Sequence, residues 1–522
     1  MSPGNLKLSR HITYERVAQE EFIVMDYKAS TQQPRDDDVE DQDTRGLSSE
    51  DKQVMAQMGK RQQLKRRFNS FTILGLSMTL LSSWEAIGGS MGVGITTGGP
   101  VSLIYGLMFT LTGTLACAAS IAEMASICPI SGAQYHWTYM FAPAKWRVFI
   151  TFIQGWVTVF AWQATITSLT FLMAAQVQGL VVLNYPFYNF ERWHTSLIMW
   201  LVVLISFVQN VYGIKLLPVF ELFSGAMHIL LFVALAVLLL VMGRNASARW
   251  VFTGFVNETG WENQGVAWFI GLLPCIWCIV GFDGAIHLSE ETTNASHTIP
   301  TVIITTVIVN GALAWIFVLL CLFSISDISA VLSTPTGYPL IEIMQQATQS
   351  RTGATAVYSL ILTITMAAMF GTLASVSRLT WAFARDDGLP FSGYFKHVDA
   401  TYRVPIRSIA LVSIVIVLLS LINIGSSTAL NAILSLSTIA LYTSYIIPIT
   451  CLIFMRFRVP DKIYDSQAGR AEISEGQLVF GPWNLGPTMN YAGPVFGLVL
   501  VFAMADYAIR GRVSFVGPRR ER

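Results

Sequence analysis

Two acidic residues, Glu85 and Asp283, interrupt long apolar stretches, and each has glycines within three residues of it. A carboxylate in the core of a bilayer is costly unless it faces a cavity or a partner, so it indicates a functional site. Glycines beside it favour local unwinding, which frees backbone N–H and C=O groups to bind a solute. Such interruptions in corresponding segments of two halves are typical of secondary transporters. The alternative, small residues at tight helix crossings, needs no carboxylate.

The first of these segments, residues 82–92, supplies candidates for binding a charged solute. Ser83, Gly88 and Gly89 are predicted to offer free backbone groups to a carboxylate or an ammonium ion at the ends of an unwound helix. Glu85 is predicted to neutralise a substrate amine or quaternary ammonium, because no lysine or arginine lies near it in the sequence. Trp84 either stacks on a cationic amine through a cation–π contact or packs within the bundle.

The second segment, residues 281–291, places Phe282, Asp283 and Gly284 in a stretch expected to unwind and contribute to the same substrate site. Asp283 is a candidate for binding substrate, for accepting the coupled proton or for a gating hydrogen bond. The alternative is that its side chain caps the half-helix that follows.

His228 is a lone histidine inside an apolar stretch, seven residues after Glu221 and so on the same helix face. One interpretation is a core histidine whose hydrogen bonds are satisfied by a neighbour. The other is a proton-coupling group, because histidine titrates near neutral pH.

Composition places the bulk of the chain in lipid. Of 522 residues, 53% are hydrophobic and 12% are charged, whereas soluble proteins carry about 25% charged residues. A soluble enzyme, a nucleic-acid binder and a disordered scaffold are therefore excluded as classes. We recognise no GxxxxGK[ST] motif for ATP, no metal-ligand cluster and no nucleophile–base pair, so neither enzymatic activity nor a metal or other cofactor is expected.

The apolar segments predict an all-α membrane protein, since each is long enough to cross a bilayer as a helix. The eleven predicted spans are residues 71–95, 102–127, 147–174, 195–213, 218–242, 265–289, 300–325, 354–384, 407–423, 428–454 and 491–509.

Charge sets the expected orientation of these spans. The polar tail 1–67 is expected to be flexible and cytoplasmic, because a basic cluster immediately precedes the first span. Residues 244–264 then form an external loop and 457–488 a cytoplasmic segment. Successive spans should cross the membrane in alternating directions, which would place the basic tail after the last span, within 489–522, outside the cell. Basic residues favour the cytoplasmic side, so one crossing is expected to be missing before the last span. The cytoplasmic ends of spans two and eight carry Glu123, Arg378 and Arg385, predicted to form an inner gate joined by Glu290 and Glu291.

Four motifs in combination resemble the amino acid–polyamine–organocation superfamily, and most closely its fungal branch of amino-acid, GABA and choline permeases. They are E-x(5)-P-x-[SG]-G beginning at Glu123, G-[FY]-D-G-A-x-H-x-S-E-E at 281–291, R-x(3)-A-F-A-R-D-x-G-L-P at 378–390 and N-x-x-G-x-K at 210–215.

The resemblance implies a LeuT-like bundle of two inverted five-helix repeats, 68–243 and 265–456, whose first and sixth helices are broken. Two accessory helices should follow, of which the eleventh of the family has no counterpart here. The resemblance also makes Trp277 an aromatic lid over the substrate. It places His228, thirteen residues after the turn lysine Lys215, where many relatives carry a basic residue and sodium-coupled ones bind an ion.

We therefore expect a secondary active permease of the plasma membrane that carries a small nitrogenous solute, such as an amino acid, GABA or choline, by alternating access. Coupling to protons is favoured over coupling to sodium. The expected partners are this solute, H⁺ and the bilayer, with no nucleic acid. A nutrient sensor with the same pocket and a defective, non-transporting paralogue are the alternatives.

Overall fold

The part of the chain that the structure describes folds into α-helices and one 3₁₀ helix. The computed structural model describes residues 51, 55, 60–185, 187–243, 246–458 and 481–485. The helices of the first half are α1 Ser70–Leu81, α2 Ser83–Thr96, α3 Gly99–Ile127, α4 Gln134–Phe141, α5 Arg147–Asn184, α6 Arg192–Val211, α7 Leu217–Met242 and α8 Ala248–Thr253. Those of the second half are α9 Gln264–Ile270, α10 Leu272–Trp277, the 3₁₀ helix η1 Gly284–Glu291, α11 Ala295–Ser324, α12 Ile328–Leu332, α13 Pro339–Thr348, α14 Arg351–Arg385, α15 Ser392–Phe395, α16 Ile406–Gly425 and α17 Ser427–Arg458.

The predicted all-α membrane fold is confirmed. Nine helical stretches within the described ranges are long and apolar enough to cross a membrane, with α1 and α2 counted together as one. The predicted sixth span corresponds to the shorter apolar stretch Gln264–Trp277 followed by η1. The predicted span 491–509, most of the segment 457–488 and most of the tail 1–67 lie outside the described residues.

The first membrane crossing is broken at one residue. α1 ends at Leu81, Ser82 adopts a left-handed conformation with φ of 38°, and α2 begins at Ser83. The Ser82 hydroxyl donates to the carbonyl of Thr79, three residues earlier, a local bond that competes with helix continuation. The break is therefore shorter than the unwinding expected over 82–89, because α2 continues through Gly88 and Gly89.

The break in the sixth crossing is longer. α10 ends at Trp277 and η1 begins at Gly284, which leaves residues 278–283 between them. Gly281 has a φ of +94°, a conformation that side chains with a Cβ rarely adopt. A glycine at this position therefore allows the chain to turn sharply before Asp283. Both expected interruptions are present, in α1–α2 and in α10–η1.

The first crossing packs tightly against α7. A Cβ atom on Gly75 of α1 would lie 2.6 Å from the backbone oxygen of Glu221, and one on Gly225 would lie 2.8 Å from Cα of Gly75. Such close backbone approach needs residues without side chains. The two helices run in the same direction, since Thr79 contacts Glu221 and Glu85 contacts His228 further along both.

Candidate functional site

A cavity of about 50 Å³ lies between the two breaks. Its walls come from the first crossing, from α5, from the end of α10 and from α14. The residues that line it include Ser82, Glu85, Ala86, Trp162, Leu172, Gln176, Trp277, Gly281, Thr365 and Thr372. The cavity thus joins a carboxylate, an amide and hydroxyl groups to aromatic and aliphatic side chains, the composition expected of a small-solute site.

A second cavity, a vestibule of about 1190 Å³, lies beside the first. Trp277 and Leu172 line both cavities, so they separate the inner cavity from the vestibule. The vestibule reaches exposed residues such as Glu191 and Arg192 at the surface. Trp277 therefore lies where an aromatic lid would lie, although its covering role stays a prediction.

Glu85 and His228 form the polar centre beside the first break. Glu85 Oε1 lies 2.7 Å from His228 Nδ1, and both side chains are buried. The remaining carboxylate oxygen, Oε2, and the remaining imidazole nitrogen, Nε2, have no hydrogen-bond partner among the described residues. Glu85 also lines the inner cavity, so its unpaired oxygen belongs to a side chain of the cavity wall.

The other candidates of α2 divide between two faces. The ring of Trp84 is fully buried and lies 5.0 Å from Phe317 and 5.7 Å from His228, centre to centre. Trp84 is not among the residues that line either cavity, so these are packing contacts. A Cβ on Gly88 would lie 2.8 Å from Leu340, which also places Gly88 in packing.

Gly89 lies on the cavity side of α2. It lines the vestibule, and a Cβ there would lie 2.2 Å from the amide nitrogen of Gln176. Gln176 itself lines the inner cavity. The absence of a side chain at Gly89 therefore leaves room for the Gln176 amide.

Asn310 of α11 bridges the break in the first crossing. Its Oδ1 accepts from the backbone N–H of Ser83 at 3.2 Å, and its Nδ2 donates to the carbonyl of Met78 at 3.4 Å. One asparagine thus binds a free donor at the start of α2 and a carbonyl at the end of α1. The Ser83 N–H is consequently occupied here, whereas the buried Ser83 hydroxyl has no partner among the described residues.

Asp283 lies at the centre of a hydrogen-bond network. Its Oδ2 accepts from Gln134 Nε2 at 2.5 Å and from Trp162 Nε1 at 3.1 Å, and its Oδ1 accepts from the Tyr445 hydroxyl at 2.5 Å. His287 Nε2 lies 3.5 Å from Oδ2. Asp283 occupies the N-cap position of η1 but makes no side-chain capping bond, because its oxygens are taken by α4, α5 and α17.

The neighbours of Asp283 complete the packing of the second break. The ring of Phe282 lies 4.8 Å from that of Tyr445. The carbonyl of Gly284 accepts from the Ser375 hydroxyl at 2.9 Å, and a Cβ there would lie 2.6 Å from Leu80. Neither Phe282, Asp283 nor Gly284 is among the residues that line the inner cavity, so they shape the break rather than the cavity wall.

Buried ion pairs close the end of the bundle where α1 begins, which we call the N-terminal side. Arg378 Nε lies 2.7 Å from Glu291 Oε1, and Arg385 binds both oxygens of Glu290 at 2.8 and 2.9 Å. Glu123 lies apart from them and pairs with Arg456 at 2.7 Å. The structure therefore brings the two arginines to the expected glutamates, while Glu123 belongs to a separate pair.

Residues 60–68, which we call the N-terminal strap, cross this closed end. Gln62 donates to the carbonyl of Glu290 at 2.7 Å, and the N–H groups of Arg67 and Phe68 donate to the carbonyl of Glu291 at 2.8 and 3.0 Å. Leu64 is buried against Trp381. The strap thus covers the end of η1 and the end of α14.

Lys60 anchors the start of the strap to Asp386, which also accepts from Tyr135 at 2.8 Å and contacts His136 at 3.1 Å. Burial raises the pKa of Asp386, but the hydrogen bond from His136 and the positive charge of Lys60 outweigh burial. The pKa of Asp386 is therefore held well below its ordinary value. The carboxylate stays ionised throughout the physiological range.

Sequence reasoning missed several of these groups. Asp386 stands inside a recognised motif and Gln134 lies two residues after another, but a motif does not say which side chains meet. Trp162, Tyr445 and Asn310 carry no local signal, because each lies in an ordinary apolar helix. A polar side chain in such a helix is the one sequence sign of a functional residue. Many residues of this chain carry that sign, so it does not single these three out.

Two broken crossings around a cavity, with one open and one closed end, define a helical secondary transporter. Residues 68–515 match the family model described as amino acid permease, and the chain belongs to this family of the amino acid–polyamine–organocation superfamily, as the motifs indicated. The chain is 32% identical to the choline transporter of Saccharomyces cerevisiae, over 80% of this chain and 72% of that protein.

Two further relatives are similar over most of their length. The GABA-specific permease of Saccharomyces cerevisiae is 30% identical over 75% of this chain and 69% of its own. The amino-acid permease BAT1 of Arabidopsis thaliana is 28% identical over 87% of each. The expected permease function, and the expectation that the chain is not an enzyme, are confirmed by this membership.

Proposed function

We propose that this permease carries a small nitrogenous solute, an amino acid or a related amine such as GABA or choline, in symport with protons. The observation that carries the proposal is Glu85, a buried carboxylate on the wall of the inner cavity with one oxygen atom free for an ammonium group. A carboxylate with a free oxygen is complementary to the positive charge that all these solutes share. The names of the relatives support the same substrate classes.

His228 is the proposed proton site. Its Nδ1 contacts Glu85 and its Nε2 has no partner among the described residues, so protonation of the imidazole changes the charge next to the Glu85 carboxylate. Asp283 is a weaker candidate for the same role, because both its oxygens already accept hydrogen bonds.

The proposed cycle is alternating access about the two breaks. The vestibule reaches the surface at one end, and the ion pairs and the N-terminal strap close the other. With the N-terminus in the cytoplasm of a plasma-membrane protein, this arrangement is an outward-facing state with a closed inner gate. Transport then requires Arg378 and Arg385 to part from their glutamates.

Radiolabelled uptake in permease-deficient cells tests the proposal, with amino acids, GABA, choline and polyamines offered at external pH 5.5 and 7.5. Saturable uptake of at least one amine that rises at the lower pH is the expected result. Solute binding without uptake would identify a sensor instead. Neither binding nor uptake, at normal surface abundance, would identify a defective paralogue.

A further inference from the structure

Glu221 is a carboxyl group inside the membrane that the proposed mechanism leaves unused. It lies in the first turns of α7 with 1% of its surface exposed. Its Oε2 accepts from the Thr79 hydroxyl at 2.8 Å, and its Oε1 has no hydrogen-bond partner among the described residues. Among the described residues, the Glu221 carboxyl group therefore has one hydrogen-bond partner, the uncharged hydroxyl of Thr79.

The helices around Glu221 bring no charge to it. From α1 it meets Thr79 and the backbone at Gly75, and α1 contains no titratable side chain. From α14 it meets Gly371, where a Cβ would lie 3.0 Å from Oε1. The nearest following charge on α14, Arg378, is seven residues further on and is paired with Glu291.

None of the remaining titratable groups on the neighbouring described helices forms an ion pair with Glu221. On α7 itself, His228 is two turns away, about 10 Å along the axis, and is bound to Glu85. Glu342 of α13 accepts from Gln346, and α11 carries His297 and Cys321. Within the part of the chain that the structure describes, Glu221 has no ion pair with a lysine, arginine or histidine.

An ionised carboxylate in such surroundings is unfavourable. Moving an ionised carboxylate out of water without a cation beside it costs roughly several kcal/mol. The group therefore binds a proton instead. Glu221 is therefore a neutral carboxylic acid while α1 packs on α7. The packing is tight, because Gly75 and Gly225 bring the two backbones together.

This neutral form depends on the position of α1. The strap that leads into α1 is bound to the closed end of the bundle, so a rearrangement that opens this end would carry α1 away from α7. Glu221 lies near the N-terminal start of α7 and would then meet water from that side. An exposed glutamic acid is ionised at neutral pH.

We propose that Glu221 is a proton-binding site open to the N-terminal side of the bundle, whose protonation holds the inner gate closed and whose ionisation stabilises the open gate. The proposal rests on the alternating access of the proposed function, but not on its coupling to protons. Internal acid then slows the cycle at Glu221, whereas external acid acts at the solute site.

The test measures initial uptake of the best solute at fixed external pH, with the internal pH clamped at 7.5 or 6.0. In the wild type, internal acidification is expected to reduce the rate by about threefold. This is less than the roughly tenfold change per pH unit that one titrating group can cause. In Glu221→Gln, which resembles the protonated acid in shape, uptake is expected to be slower and insensitive to internal pH. Its response to external pH is expected to persist.

A second variant keeps the test decisive if the glutamine protein fails to reach the membrane. Glu221→Asp keeps a titrating group but withdraws it from Thr79, so the midpoint of the internal-pH response is expected to shift. An unchanged internal-pH response in Glu221→Gln, or an unchanged midpoint in Glu221→Asp, would overturn the proposal. A wild type without external-pH response would instead contradict proton symport and leave the internal-pH comparison intact.

Discussion

Glu85 Oε1 and His228 Nδ1 lie 2.7 Å apart beside the break in the first crossing. The pair joins α2 to α7 at the wall of the inner cavity, where Glu85 Oε2 remains free. The contact with His228 fixes the orientation of the carboxylate and leaves Oε2 without a hydrogen-bond partner among the described residues. In the proposed function, the charge of the substrate and the protonation of the imidazole therefore act at the same site.

Replacement of Glu85 by glutamine should abolish uptake of amines. The amide keeps the size of the side chain but lacks the charge that opposes a substrate ammonium group. Loss of one partner of a buried charge pair costs about 2 kcal/mol or more, a reduction in kcat/KM of about 30-fold or more. Uptake of the best solute, normalised to surface abundance, measures the effect.

Glu258→Gln is the matched control, because Glu258 is exposed on the segment before α9. It should transport like the wild type. If Glu85→Gln matches the control, the carboxylate has no part in binding the solute.

Replacement of His228 by glutamine tests the proton site. Glutamine still donates a hydrogen bond to Glu85 but does not titrate. We expect residual uptake whose rate varies little between external pH 5.5 and 7.5, whereas the wild-type rate rises at pH 5.5. A retained wild-type pH profile in this variant would assign the coupled proton to another group.

The sequence was sufficient for the fold because each crossing depends on a local property, the length of an apolar run. The two breaks were also predictable, since Glu85 and Asp283 have glycine neighbours within apolar segments. The extent of the first break was not, because α2 continues through Gly88 and Gly89. Helix continuation there depends on packing against Leu340 and Gln176, which lie far away in the sequence.

The partners of the site were beyond sequence reasoning for the same reason. The sequence left the role of Asp283 open between several alternatives, and its donors come from α4, α5 and α17. Trp84 is a candidate for a cation–π contact because it is aromatic, but it lies on the face of α2 that points away from the cavity. Tertiary packing decides which face of a helix points to the cavity.

Asp386→Asn should loosen the inner gate at every pH of an uptake assay. The pKa of Asp386 is depressed, so its ionic contacts stabilise the closed end above the ordinary aspartate pKa and weaken only as the pH falls through the lowered value. Between pH 5.5 and 7.5 the Asp386 carboxylate stays ionised. The variant should therefore keep the shape of the wild-type pH profile.

A cysteine at Ala86, on the wall of the inner cavity, reports the gate directly. In Asp386→Asn it should react more slowly with a membrane-impermeant thiol reagent added outside, because fewer molecules face outward. Asp387→Asn is the matched control, since Asp387 is exposed and its contact with Lys396 spans 3.4 Å at the surface, a pair worth about 1 kcal/mol or less. Equal labelling rates in the two variants would exclude Asp386 from the gate.

Asp283→Asn should destabilise the protein more than Tyr445→Phe. Tyr445→Phe removes one donor to Asp283 and the acceptor of the Gly281 N–H, and should cost about 1–3 kcal/mol. Asparagine has one oxygen for three donors, so its NH₂ group must face at least one N–H or O–H of Gln134, Trp162 or Tyr445. Each buried donor left without an acceptor costs about 1–3 kcal/mol. Melting temperatures in detergent should fall in the order wild type, Tyr445→Phe, Asp283→Asn, and an asparagine variant as stable as the wild type would show that the carboxylate is not needed to satisfy these donors.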